Sequence, residues 1–179
     1  MSAPKKESLA SLVIVLAVIC LVIAGLLGLV NSVTEGPIAE QMEETVNASI
    51  AQVLPSESTP EPVEYTDNEA VKAVFKIGEE GYAVEVNSPN GFGGAIDMMT
   101  GINANGEVTG IAIISHAETS GLGSKATDPE WQAQFKGVTG EAKVTKDGGS
   151  INAITGSTIT SRAVCDGVNI AFDVVESMG

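Results

Sequence analysis

The chain has 179 residues, room for one compact domain beside a membrane segment. Its 23 acidic against 9 basic residues give a net charge of −14, which excludes a nucleic-acid partner, because that footprint needs clustered basic residues. Cys20 and Cys165 lie far apart, outside any CxxC or paired Cys/His spacing, so neither a disulfide framework nor a metal site is expected.

From Ser8 to Thr34 no residue is charged, and Leu9 to Val30 is almost wholly Leu, Val, Ile, Ala and Gly. Twenty-odd such residues rise roughly 30 Å as a helix, the thickness of a bilayer's hydrocarbon core, so the run predicts a single membrane span. It is too long for the apolar part of a cleaved signal peptide. Ile19 before Cys20 does not fit a lipoprotein signal. Lys5 and Lys6 precede the span, and Glu35, Glu40, Glu43 and Glu44 follow it, which predicts a cytoplasmic N-terminus and an extracytoplasmic remainder in the cell (inner) membrane.

Gly36-Pro37 predicts the start of a second helix, with Ile38, Met42, Val46, Ile50 and Leu54 as one apolar stripe, ending before Pro55. That stripe would dock either on the chain's own domain or on a neighbouring membrane subunit. Residues 55–66 mix three prolines with Ser, Thr and Glu and read as an extended connector. The expected organisation is therefore 1–35 for the tip and span, 36–66 for helix and connector, and 67–179 for the domain.

The domain reads as α+β, an antiparallel sheet with flanking helices. Val71–Ile77 and Tyr82–Val86 flank Gly78-Glu79-Glu80-Gly81, and Phe92–Ile102 and Glu107–Ser115 flank Asn103-Ala104-Asn105-Gly106, so two hairpins are expected. Thr127-Asp128-Pro129 predicts a short helix carrying Trp131 and Phe135, and Ala142–Val144 a weak strand. Thr158 to Val175 predicts the last helix, with Ile159, Ala163, Val168, Phe172 and Val175 on one face.

Three stretches could carry chemistry. Thr155, Gly156, Ser157, Thr158, Thr160 and Ser161 surround the start of the last helix, where free N–H groups and the helix dipole favour a phosphate, and Arg162 follows. The same hydroxyls also suit plain helix capping. Glu118, Thr119, Gly121, Leu122, Gly123 and Lys125 form a glycine-bearing loop that would admit a planar ligand close to the backbone, or serve only as a connection. Gly93 and Gly94 open the expected third strand, as a bulge or a ligand contact. His116, the only histidine, reads as a surface or hydrogen-bonding residue, and nothing places it beside Thr158 or Ser161 as the base of a hydrolase.

These three pieces behind one span resemble the FMN-binding RnfG subunit of the Rnf complex, the ion-translocating ferredoxin:NAD oxidoreductase, over nearly the whole chain. The family's E-T-P-G-L-G loop is matched by Glu118 to Gly123 with Ser120 for Pro, and its S/T-G-A-T-x-T/S-S motif by Thr155 to Ser161 with Ser157 for Ala. Asn152 stands where an acidic residue is usual, and Ala95 where Pro is usual. The resemblance implies an electron-transfer subunit with no catalytic acid–base residue. It implies FMN joined through its phosphate to Thr158 by a flavin transferase that uses FAD, with the ring over Gly121–Gly123. The other membrane subunits of that complex are the implied partners. The FMN subunit of the sodium-translocating NADH:quinone oxidoreductase, and a cofactor-free membrane-anchored assembly protein, are the alternatives.

Overall fold

The computed structural model describes residues 9–178. Lys5 and Lys6, on which the orientation of the span rests, lie outside the described residues. The chain divides into two compact units between Glu44 and Thr45, so the end of the long helix and the connector belong with the domain.

In the first unit, helix α1 (Leu9–Val53) begins, and from Ser11 to Ile38 every side chain is exposed. A helix that is apolar on all sides and buries none of them is long and apolar enough to cross a membrane. The expected break at Gly36-Pro37 is absent, because α1 runs through Pro37 without interruption. Proline removes one intrahelical donor, and a chain of good helix formers from Glu40 to Glu44 can continue past that single loss. In the turns before it, the Ser32 hydroxyl donates to the Leu29 carbonyl and Thr34 to Val30. The helix does end before Pro55.

The second unit, Thr45–Gly179, is built on a five-stranded antiparallel sheet in sequential order: β1 (Glu61–Val63), β2 (Val71–Ile77), β3 (Gly81–Ser88), β4 (Ile96–Asn103) and β5 (Val108–Ser115). Both hairpins form where the glycine-bearing turns predict. β1 is an addition, since part of the expected connector pairs with β2 as a three-residue edge strand. β4 starts at Ile96 rather than Phe92, because the Gly93 N–H is taken by a side chain instead of a neighbouring strand. Ala142–Val144 forms no strand. Val144 makes a single parallel bridge to Ile151, and a tight turn between them closes through Gly149 N–H to the Val144 carbonyl.

One face of the sheet carries Val84, Val86, Ile96, Met98 and Ile102, all buried against Val164, Val168, Ala171 and Val174 of helix α3 (Thr158–Met178). Burial of each Val, Ile or Met side chain contributes about 1.5–3 kcal/mol, so this layer holds the domain together. Gly167 faces Met98, where a Cβ would come within 2.5 Å of its sulfur, so the glycine sets how closely α3 lies on β4. Ile159, expected on this face, is instead half-exposed. Phe135 is fully buried and meets Trp131 edge to face beside helix α2 (Pro129–Gln132).

The other face carries Ile77, Ala83, Met99 and Ala112 and is covered by Ile50, Val53 and Leu54 from the end of α1. Of the predicted stripe, Val46, Ile50 and Leu54 pack here, while Ile38 and Met42 stay exposed. Gly101 and Gly110 are paired across β4 and β5, and a Cβ at Gly101 would lie 2.6 Å from the Val53 carbonyl oxygen. The pair leaves room for the last turn of the helix, which Thr109 ties down by donating to that same carbonyl. Lys72 bridges Glu85 and Asp97 at 2.7 Å each across three strands. Desolvation pulls the Lys72 ammonium down, but the hydrogen bonds it donates to Asp97 and Glu85, with their negative charge, outweigh this and hold it above the ordinary lysine value.

Candidate functional site

The side chain that organises the candidate site is Glu118, which is 8% exposed. Its Oε1 accepts the Gly93 N–H at 3.0 Å and its Oε2 accepts the Thr160 hydroxyl at 2.6 Å. One carboxylate therefore joins three segments that are distant in sequence: the Gly91–Gly94 loop before β4, the loop after β5, and the first turn of α3. Charge-assisted bonds of this kind are roughly twice as strong as neutral ones, and a buried carboxylate without them would be costly. The Glu118 N–H in turn donates to His116 Nδ1 at 3.1 Å, so the half-buried imidazole acts as a hydrogen-bond acceptor that braces the loop.

Glycines make the closeness of these segments possible. A Cβ at Gly93 would collide with the Ala117 carbonyl, and one at Gly123 with Glu118 Oε2 and, at 2.8 Å, with Thr160 Oγ1. Gly156 has φ +81, and a Cβ there would meet Leu122 Cδ2 at 3.3 Å, so the Leu122 loop lies against the approach to α3. Gly121, at φ +76, lets the loop fold back on itself: its N–H donates to Ser124 Oγ, and the Leu122 and Ser124 N–H groups both reach the Thr119 carbonyl. Gly94 is exposed at φ +135, and Lys125 is exposed on the turn Gly123–Thr127.

The clustered hydroxyls have separate tasks. Ser161 accepts the Ile154 N–H and donates to the Ser157 carbonyl, both at 2.9 Å, which makes it a structural clasp. Thr160 is spent on Glu118. Ser157 is buried and Thr155 exposed. Thr158, the first residue of α3, is half-buried, and its Oγ1 accepts from Lys146 Nζ at 3.2 Å. Lys146 is a residue that sequence reasoning missed, since no spacing rule links it to a threonine twelve positions on. Arg162, which the sequence places beside the hydroxyls, is instead committed to Asp147 through two bonds of 2.7 Å. The hydrogen bond from Arg162 holds the Asp147 carboxyl below its ordinary value.

Beyond Glu44, the large apolar side chains that are exposed among the described residues are Phe92, Leu122 and Ile159, at 68%, 45% and 50%. Each sits on one of the three segments that Glu118 joins. A flat aromatic ligand whose phosphate reaches the start of α3 fits these residues: apolar contact from the three side chains, close backbone from the glycines, and unpaired N–H groups in the first turn of a long helix. A groove of about 800 Å³ lies elsewhere, between the turns at Gly78–Gly81 and Asn103–Gly106 and the C-terminal half of α3. It shares no residue with the Thr158 neighbourhood.

The chain matches the model of the FMN-binding domain over residues 91–173 and that of the RnfG N-terminal region over residues 1–53. It is 37% identical to a subunit of the Na(+)-translocating ferredoxin:NAD(+) oxidoreductase complex of Acetobacterium woodii, covering 92% of this chain and 90% of that one. It is 31% identical to a subunit of an ion-translocating oxidoreductase complex of Methanosarcina acetivorans, over 96% of both chains. The corresponding Yersinia pestis subunit is 36% identical, over 82% of this chain and 80% of its own.

Proposed function

The chain belongs to the RnfG family, a family of subunits of ion-translocating oxidoreductase complexes, and from that premise we propose that it is a membrane-anchored electron-transfer subunit carrying FMN covalently on Thr158. The observation that carries the attachment site is the sorting of the hydroxyls. Of those between Thr155 and Ser161, Thr158 alone stands at the start of α3 with its oxygen against a cationic side chain, and the exposed Ile159 follows it. FMN, when bound, supplies the one-electron chemistry, which lies in the cofactor. This chain's residues do the rest. The first turn of α3 holds the phosphate, Gly93, Gly94, Gly121 and Gly123 admit the ring close to the backbone, and Leu122 gives it an apolar contact. Thr119 shapes the loop through its carbonyl, Lys125 adds positive charge, and Thr155, Gly156 and Ser157 shape the segment that a flavin transferase using FAD would read.

Covalency follows from supply. A tethered flavin keeps an effective concentration that does not fall when free FMN is scarce outside the cytoplasm. The domain is accordingly extracytoplasmic, with the other membrane subunits of the complex as its partners. Protease added to intact right-side-out cells is expected to cut beyond Glu35, and protection until the membrane is broken would reverse the orientation.

The attachment is tested by Thr158→Ala, read as ultraviolet fluorescence of the subunit on a denaturing gel, where only covalent flavin stays with the chain. The expected result is a folded, membrane-bound, non-fluorescent band, while Thr155→Ala and Ser157→Ala retain fluorescence. A Thr158→Ala band as bright as the parent would place the attachment elsewhere.

A further inference from the structure

We propose that Lys146 is the counter-ion of the flavin phosphodiester, the side chain that holds its negative charge against the first turn of α3. The inference rests on attachment at Thr158. Lys146 Nζ already lies 3.2 Å from Thr158 Oγ1, the atom to which phosphorus would be bonded. The two non-bridging oxygens of a diester, which share its single negative charge, would sit two bonds from that atom, within reach of an ammonium on a flexible four-carbon stem.

The neighbouring cations are committed. Arg162 is held by Asp147, and Lys143 pairs with Glu141 at 2.8 Å. The Arg162–Asp147 pair has a second effect, because Asp147 and Lys146 share the short turn Thr145–Asp147. Its two bonds fasten that turn to the helix that carries Thr158, and the turn is closed on its other side by Thr145 N–H to the Ile151 carbonyl and by Gly148 at φ +86. Lys146 is thus delivered to Thr158 by a fixed backbone, with Arg162 as a positioning residue. In a chain of net charge −14, a phosphodiester beside Asp147 needs a dedicated positive partner, and an exposed lysine serves without the desolvation that burying one would cost.

The test uses the full-length subunit, coexpressed with its flavin transferase, as Lys146→Met, Lys146→Arg and Lys76→Met. Covalent flavin per chain is read by in-gel fluorescence, and the phosphodiester of the loaded fraction by its phosphorus NMR resonance. Lys146→Met is expected to lower loading several-fold and to displace the resonance. Lys146→Arg is expected to restore loading, and Lys76→Met, in the groove that shares no residue with the Thr158 neighbourhood, to leave both readouts at parent values. Parent loading with a parent resonance in Lys146→Met would overturn the proposal, as would a loss that arginine does not restore, or an equal effect produced by Lys76→Met. Persistent fluorescence in Thr158→Ala would instead remove the attachment reading beneath it, so the two failures are distinct.

Discussion

Among the described residues, exposed apolar surface takes two patterns that mean different things. Between Ser11 and Ile38 it surrounds a helix on every side, with Leu21 at 74% and Leu27 at 66%, and nothing packs on it. In the domain it is confined to Phe92, Leu122 and Ile159, one on each of three segments that a single buried carboxylate gathers. The first pattern is matched only by a hydrocarbon solvent. The second is small, bounded by glycine backbone and polar groups, and matched by one flat ligand. Exposure by itself does not distinguish a span from a site; periodicity and neighbours do.

An identical change in both regions separates them most visibly. Placing arginine at both Leu16 and Leu21 costs about 5–7 kcal/mol of insertion free energy, so the doubly substituted chain is expected to wash out of membranes at alkaline pH. Leu122→Arg is expected to leave the chain membrane-bound and folded, with its denatured band still fluorescent, while the native flavin absorbance shifts because the ring has lost its apolar contact. Full membrane retention of the double variant would mean that something other than the span holds the chain, and an unchanged flavin spectrum in Leu122→Arg would reduce the loop to a connection.

Much of the fold was legible in the sequence where the signal is local. The hairpins follow from alternation broken by glycine-bearing turns, and the start of α3 from the hydroxyl cluster at Thr155–Ser161. The three glycine-bearing segments could be singled out one by one, but not that Glu118 joins them, since Gly93 and Thr160 lie 25 and 42 positions from it. Other features were illegible for similar reasons. β1 is three residues with Pro62 inside, tolerable only because an edge strand leaves half its backbone unpaired. Pro37 reads as a helix start by preference, yet the chain on either side carries the helix through. Ile159 satisfies a helical period and still faces outward, because the first turn of α3 buries Thr160 instead. Arg162 adjoins the hydroxyls in sequence, but its side chain is turned to Asp147, and it is Lys146 that lies beside Thr158.

A smaller effect separates two glycines that the sequence treats alike. At Gly121 an added Cβ meets nothing within 4 Å, and the penalty is only that of a left-handed φ of +76, of order 1 kcal/mol for a non-glycine residue. At Gly123 the added Cβ would strike the Glu118 carboxylate and lie 2.8 Å from Thr160 Oγ1, so the bond that joins loop to helix must lengthen or break. Losing a charged hydrogen bond with its acceptor still buried costs about 1.5–3 kcal/mol, and the loop would be released from α3 rather than merely strained. Gly123→Ala is therefore expected to lower the midpoint of thermal unfolding by more than Gly121→Ala and to make the native flavin fluorescence more accessible to an added quencher, with covalent loading retained in both. Equal effects from the two substitutions would mean that backbone conformation, and not the Glu118 contact, shapes the loop.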